Sequence, residues 1–449
     1  RRRSFAFVGM MLLSMCLTFA PAASASNEKF YPTHQSTTEV AVADFDGDGN
    51  PDIVGNSEQG NKITIFWGDG TVEDFPTRTD VWVSNNESHL GGFDSRAAMT
   101  EIGVGDVTGD GAIDIVMWMA MYDNFTVLEY DGGSSRTFTR TPSDDIPFNG
   151  FIDEMIIADV DGQTGDEIVV LTTSASGVGQ NVTVYYGGAS SGSQSTPLDG
   201  TKYYYQMEVG NWGEAEGTCD PDLDVWLVSG NAAGLGTWDN ITVLEYARTP
   251  VSCAGIGFTS DVTTPADHKW IAGYRMTWMD IFDEDGDGVI DVWAGTNGDE
   301  QNLSVVKRSS TGNPFSMSNA QVVECGYYFT IELELGEFNG DGEVDVVLPP
   351  KHPTYPVVDA NGNQMGVTFY TDDLYVDMPI LVILSDGQGG FLTPLEFTTP
   401  STRPSGVVVA DVFGSPTPEI VAAHADMQQF LGQPGGIIYD YEDSWTQVG

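Results

Sequence analysis

Positive charge is what this chain has least of. Against 66 Asp+Glu it sets 17 Lys+Arg, a formal charge of −49 and an isoelectric point near 4.1. So few cations cannot neutralise a phosphate backbone, and the field of the protein repels one, which excludes nucleic acid as a partner and disfavours anionic membrane surfaces. Histidine is nearly as scarce, with five residues (His34, His89, His268, His352, His424), none in an HExxH or other spaced catalytic motif. There are four cysteines and no CxxC pair, so no thiolate metal or redox motif is present. Beyond the N-terminus no apolar run is long enough to span a bilayer. No segment sustains the i, i+3, i+4, i+7 stripe of an amphipathic helix, so few helices are expected. What the chain does have is 41% hydrophobic residues, enough to exclude disorder, and 53 glycines, enough for many turns.

Residues 1–25 have the three parts of a signal peptide: Arg1-Arg2-Arg3, the apolar run Phe5 to Ala20, and the small-residue box Ala23-Ser24-Ala25. Cleavage after Ala25 would take the formal charge from −49 to −52 and imply an exported, secreted or cell-surface protein. Cys16 would leave with the leader, and of Cys219, Cys253 and Cys325 the first two close the shortest loop and are the expected disulfide, buried free thiols being the alternative.

The remaining chain repeats itself. Val40 to Val54 (VAVADFDGDGNPDIV) recurs as Ile102 to Val116 and, more weakly, at 156–169, 209–226, 283–293, 337–347 and 408–421. The acidic loops open at 44, 106, 159, 211, 283, 337 and 411, about 61 residues apart on average. Each is followed by an alternating β-branched and aromatic run, such as Ile63-Thr-Ile-Phe-Trp67 or Val182-Thr-Val-Tyr-Tyr186, which reads as a strand. Units of this size with about four short strands are propeller blades. The expectation is therefore all-β: one domain over 27–449, a seven-bladed β-propeller closed by strand-like Phe30 to Thr38 pairing with Gly436 to Val448.

The loops themselves read D-x-D-x-D-x-x-x-D. Carboxylates at positions 1, 3, 5 and 9 of so tight a turn face inward around one hard cation, which favours Ca²⁺. The first and fifth are complete: Asp44, Asp46, Asp48, Asp52 and Asp283, Asp285, Asp287, Asp291. The second offers Asp106, Thr108, Asp110 and Asp114, the third Asp159, Asp161, Gln163 and Glu167, the sixth Glu337, Asn339, Asp341 and Asp345. About five ions are expected, none of them at the interrupted fourth loop or at the seventh, where Phe413 takes position 3. An EF-hand is excluded, because Gly55 and Ala294 stand where it needs a bidentate Glu.

This pattern, with the ending Leu384-Ser-Asp-Gly-Gln-Gly-Gly-Phe391, resembles the FG-GAP/VCBS repeat family, to which the integrin α-chain propeller belongs. The resemblance implies a propeller with Ca²⁺ loops on one face and ligand contacts on the other, in an extracellular adhesion module that binds a glycan, a protein or copies of itself. Two alternatives stand beside it. A polysaccharide lyase would use His268 with Tyr274 and Arg275, or His352 with Tyr355; a structural filament subunit needs no catalytic residue. No catalytic residue and no organic cofactor is assigned. The stretch Pro349 to Pro379, with Tyr355, Tyr370, Asp372, Asp373 and Tyr375, breaks the period and is a candidate contact loop. Tyr203-Tyr204-Tyr205 reads as strand core; Asn86, Asn124, Asn181, Asn240 and Asn302 match the glycosylation sequon, and the last four, recurring just before the third strand, read as a turn or side-chain cap, with glycosylation the secondary reading.

Overall fold

The pair that follows loop position 9 is apolar at both residues: Ile53-Val54, Ile115-Val116, Ile168-Val169, Val292-Trp293, Val346-Val347, Ile420-Val421. A strand that drops the two-residue alternation is one covered on both faces. In the computed structural model all twelve of these side chains are buried. The structure describes residues 29–448 apart from several segments, the longest being 84–98, 212–222, 259–268, 370–379 and 425–443. The expected leader, and the Cys219–Cys253 pair, lie outside the described residues.

The elements are antiparallel strands, with no helix among the described residues. In each repeat the strand before the acidic loop is innermost and the chain then steps outward. The first sheet runs Val40–Ala43, Asp52–Gly55, Lys62–Trp67, Thr77–Trp82. The third, fourth, fifth and sixth repeat that order from innermost strands Phe151–Ala158, Lys202–Gly210, Met276–Phe282 and Glu334–Gly336. The last sheet starts at Pro404–Ala410 and continues through Glu419–His424 and Ser444–Val448. The N-terminal strand Lys29–Pro32 completes it in antiparallel register, from Lys29 opposite Gln447 to Pro32 opposite Ser444. Innermost strands of successive repeats lie side by side, and that of the last lies against that of the first, so the array closes on itself as a β-propeller.

The expectation of a seven-bladed propeller is met by six regular four-stranded blades. Six sheets are four-stranded, whereas that of the second repeat has five strands. Its innermost strands are Met99–Gly105, Asp114–Met119 and Asn124–Tyr130, and the outer edge of the last is shared by two short pieces, Phe138–Arg140 and Ile146–Pro147. Phe138 pairs with Tyr130 and Ile146 with Phe125. Pro147 lacks the N–H that a continuing strand would donate, and such a residue is tolerated only at an edge.

The hydrophobic cores lie between blades. Val54, Ile63 and Trp67 of the first pack with Ile115, Met117 and Leu128 of the second. The same sharing recurs for every successive pair and closes with Val412 and Val421 of the last repeat against Val40 and Ile53 of the first. No blade buries its own faces, so the ring folds as one unit. Two hairpins stand outside the blade sheets: Tyr246–Arg248 with Gly255–Phe258, and Thr354–Val358 with Gln364–Phe369. The second lies in the insertion that breaks the period.

Candidate metal loops

Each acidic loop joins an innermost strand to its neighbour. In the first, Gly47 and Gly49 adopt φ of 70° and 87°, which only glycine enters without strain, and they turn the chain back over the Asp44 carboxylate. Asp44 Oδ1 accepts the Asp48 N–H at 3.1 Å and Oδ2 that of Gly49 at 2.8 Å. The third loop spells this differently: its second positive φ (97°) falls at Gly165, one position later than in the other loops.

Three loops bring three carboxylates together with oxygens within 4.8 Å of one another: Asp44, Asp46, Asp48; Asp159, Asp161, Glu167; and Asp283, Asp285, Asp291. The all-oxygen donor set and this convergence fit a hard cation such as Ca²⁺. In the third loop Gln163 stands outside that set, its amide turned toward the Asp161 carbonyl at 3.5 Å. In the fifth, Asp287 accepts the Val289 N–H at 2.9 Å and is likewise not among the three.

The second and sixth loops place their residues in other ways. In the second, Asp106 caps three backbone N–H groups, of Gly109, Asp110 and Gly111, and Asp110 accepts the Ala112 N–H. Thr108 Oγ1 and Asp114 Oδ1 are buried without a hydrogen-bond partner, two orphan oxygens that suit a cation. In the sixth the oxygens are met from within. Asn339 Nδ2 donates to Asp345 Oδ1 (3.3 Å) and to Ser385, the Ser385 hydroxyl donates to Asp341 Oδ2 at 2.6 Å, and Glu337 accepts the N–H of Asn339 and Gly340.

Position 9 has a role that spacing did not reveal. Asp52 is fully buried, with Oδ2 accepting the Phe45 N–H at 3.0 Å and Oδ1 the Gly68 N–H at 2.7 Å. It ties the loop to the end of the third strand. Asp345 does the same with Phe338 N (2.7 Å) and Ser385 N (2.6 Å), and Glu167 and Glu419 accept the N–H of Val160 and Val412. Burial raises these acids: Asp52 to about 7, Asp114 to about 6 and Glu167 to about 7, with the backbone donors acting against the rise. Asp291 and Asp345 rise for the same reason.

Cations of the chain itself enter the loops. Arg136, from the second repeat, reaches Asp46 at 2.7 Å, Asp48 at 3.3 Å and the Gly68 carbonyl at 3.2 Å, with its guanidinium over the Trp67 ring. Lys307 joins Glu284 of the fifth loop (2.7 Å) to Glu343 of the sixth (3.4 Å). Between the second and third loops Asp166 accepts the Asp106 N–H at 2.7 Å. Neighbouring loops are therefore stitched to each other as well as closed internally.

The other sequence candidates are dispersed. Cys325 is a half-buried free thiol, pushed up to about 11 by burial. Tyr204 is buried as expected, but Tyr203 is exposed and donates to Asp153 Oδ1. The four Asn expected in turns are strand residues: Asn181 pairs with Thr172 and Asn302 with Asn297, and Asn124 and Asn240 likewise stand in the ladder. The Asn-x-Thr signature is the start of the third strand, where alternation rather than capping sets the residue type. His34, His89, His268, Arg275, His352, Tyr370, Asp372, Asp373 and Tyr375 lie outside the described residues. His424, Tyr274 and Tyr355 stand in strands.

A family model described as FG-GAP-like repeat matches residues 44–117, the first two acidic loops and the strands around them. No curated protein matches the chain. Among solved structures the chain is similar to the Dos1 propeller (9% identity, 94% of each chain covered, TM-score 0.47) and a protein from Lactobacillus plantarum (11%, 81% and 85%, TM-score 0.43). It is also similar to a luciferin-regenerating enzyme (11%, 78% and 92%, TM-score 0.36). At these levels the propeller rests on the closed ring of sheets described above. The chain is a β-propeller whose residues 44–117 match the FG-GAP-like repeat.

Proposed function

We propose that the chain is a seven-bladed, calcium-stabilised propeller that works as an exported binding module, recognising a glycan, a protein or another copy of itself. The second repeat, with its divided outer strand, counts as one of the seven. The observation that carries the calcium reading is the convergence of three carboxylates in each of three loops of matching position. Ligands confined to one turn between two strands of one blade give a structural ion, one that fixes strand register. The leader-like N-terminus supports export. The hairpin Thr354–Val358 with Gln364–Phe369, outside any blade sheet, supports a contact surface grafted on a rigid ring.

The test is metal content together with a melt. Protein desalted from calcium should retain bound ions, lose them to a chelator, melt at a lower temperature, and recover on recalcification. Protein that holds no calcium and melts identically in excess chelator refutes the reading. For the binding role, a glycan array run beside an ultraviolet assay for unsaturated uronic products decides between module and lyase. Product release overturns the module.

A further inference from the structure

The acids of the loops are not the most unusual ones in the molecule. A second set stands on or just before the innermost strands: Glu39, which precedes Val40–Ala43, then Glu101 and Glu154 in the second and third repeats, and Glu208, Asp280 and Glu334 in the next three. Glu101 feels the charge of Glu39, Glu154 that of Glu39, Glu101 and Glu208, and Glu334 that of Asp280 and Glu208. Glu39 and Glu154 belong to blades that are not neighbours, so the charge of one acts on the other across the propeller axis, around which the innermost strands stand side by side. Each keeps some exposure while lying deep in the molecule, as residues lining a channel do.

Local geometry directs them there. The innermost strands of the second, third and fourth repeats each carry a β-bulge, and the residue that resumes pairing is Glu101, Glu154 or Gln206. Bulges re-aim side chains. Gln206 is fully buried, and its Nε2 donates to Glu208 Oε1 at 3.0 Å and to the Met279 carbonyl. Two acceptors fix that nitrogen, so the amide cannot be turned over, and Gln206 Oε1 is left buried with no donor. An unsatisfied acceptor beside a set of like charges calls for a group that carries both N–H donors and positive charge.

We propose that the axis of the propeller is a binding site for a linear organic polyamine, held by Glu39, Glu101 and Glu154 on one side and by Gln206, Glu208 and Glu334 on the other. A bare metal ion suits the axis less well: among the described residues every set of three converging carboxylates belongs to a loop, and none includes an axial acid. A polyamine brings separated charges instead. Asp280 is the exception in the set, because its two oxygens are committed to the Ile281 and Leu335 N–H groups at 2.6 and 2.7 Å. Burial raises these carboxyls, Glu39 to about 8, and the charges of neighbouring acids add to the rise at Glu101, Glu154, Glu208 and Glu334, as expected of a site awaiting countercharge.

Spermidine is the probe, titrated calorimetrically into the full chain in calcium, at pH 8 and moderate salt. One equivalent should bind, and raise the melting temperature. E208Q/E334Q, which keeps shape and removes two like charges, should still fold and bind about tenfold or more weakly. D283N/D285N, in a loop, should bind as the wild type does. Weak multivalent binding that survives E208Q/E334Q would mean a general counterion effect of the acidic surface and overturn the proposal. So would the absence of heat, or Mg²⁺ alone binding once at the same acids and displacing spermidine. Because metal content is measured separately on the same samples, failure here leaves the calcium reading intact, and the reverse.

Discussion

Replacing Asp52 separates two jobs that one carboxylate in an acidic loop can do. If it serves only as a ligand, its removal matters only when an ion is present. The structure gives it a second task, since both oxygens accept buried backbone N–H groups, Phe45 at 3.0 Å and Gly68 at 2.7 Å. Asp52→Ala leaves both donors without a partner in a site that has no exposure. Each unsatisfied buried donor costs about 1–3 kcal/mol, so the loss is about 2–6 kcal/mol. For a large domain that is a fall of roughly 4–12 °C in Tm, at about 2 °C per kcal/mol. The loss should persist in excess chelator, where no ion remains to be lost. Asp46→Ala is the control: its carboxylate belongs to the converging set, so its calcium-dependent loss should disappear in chelator, leaving only the small contribution of its pair with Arg136. Asp52→Asn keeps one acceptor and should fall between. Differential scanning fluorimetry in calcium and in chelator, with urea unfolding as a second measure, gives all four comparisons. An Asp52→Ala protein that matches the wild type in chelator refutes the clamp.

Arg136→Ala should raise calcium affinity at the first loop, since the guanidinium competes for Asp46 and Asp48, while costing about 1 kcal/mol or less of calcium-free stability; titration of a single-loop reporter variant checks it. Without divalent ions or polyamine, stability should fall as pH rises from about 5 to about 8. The axial acids have native values above their unfolded ones, Glu39 near 8, so in that window the folded state holds more protons and each proton lost weakens it. A melt that is flat or rises across the window contradicts the axial cluster. Gly68→Ala should destabilise by about 1–3 kcal/mol, because a Cβ there collides with the Pro51 carbonyl oxygen, which is backbone and cannot step aside. Gly200→Ala, with open space around it, is the neutral comparison.

Much of this protein is legible in its sequence because the signals are local. Period-two runs make strands, Asp-Gly pairs make turns, and their recurrence about every 61 residues makes blades. The apolar pair after each acidic loop even announces a strand covered on both faces. Spacing named positions 1, 3, 5 and 9 of each loop, and the carboxylates that converge are 1, 3 and 5 in the first loop but 1, 3 and 9 in the third and fifth. It could not distinguish the third loop, where Glu167 converges, from the first, where Asp52 turns away to hold Phe45 and Gly68. Gly68 stands sixteen residues further on, and no loop motif reports it.

Other features required the closed ring. The fork in the second blade depends on where Pro147 meets an edge. Arg136 reaches the first loop across a blade boundary, 90 residues from Asp46. The axial acids look in the sequence like ordinary polar positions of half-exposed strands, and only closure brings Glu39 and Glu154 within reach of each other. The sequence alone determined the all-β repeat and the acidic turns, since those depend on neighbours along the chain. Tertiary structure decided which acids clamp, which converge and which crowd the axis, because charge interactions and desolvation depend on neighbours in space.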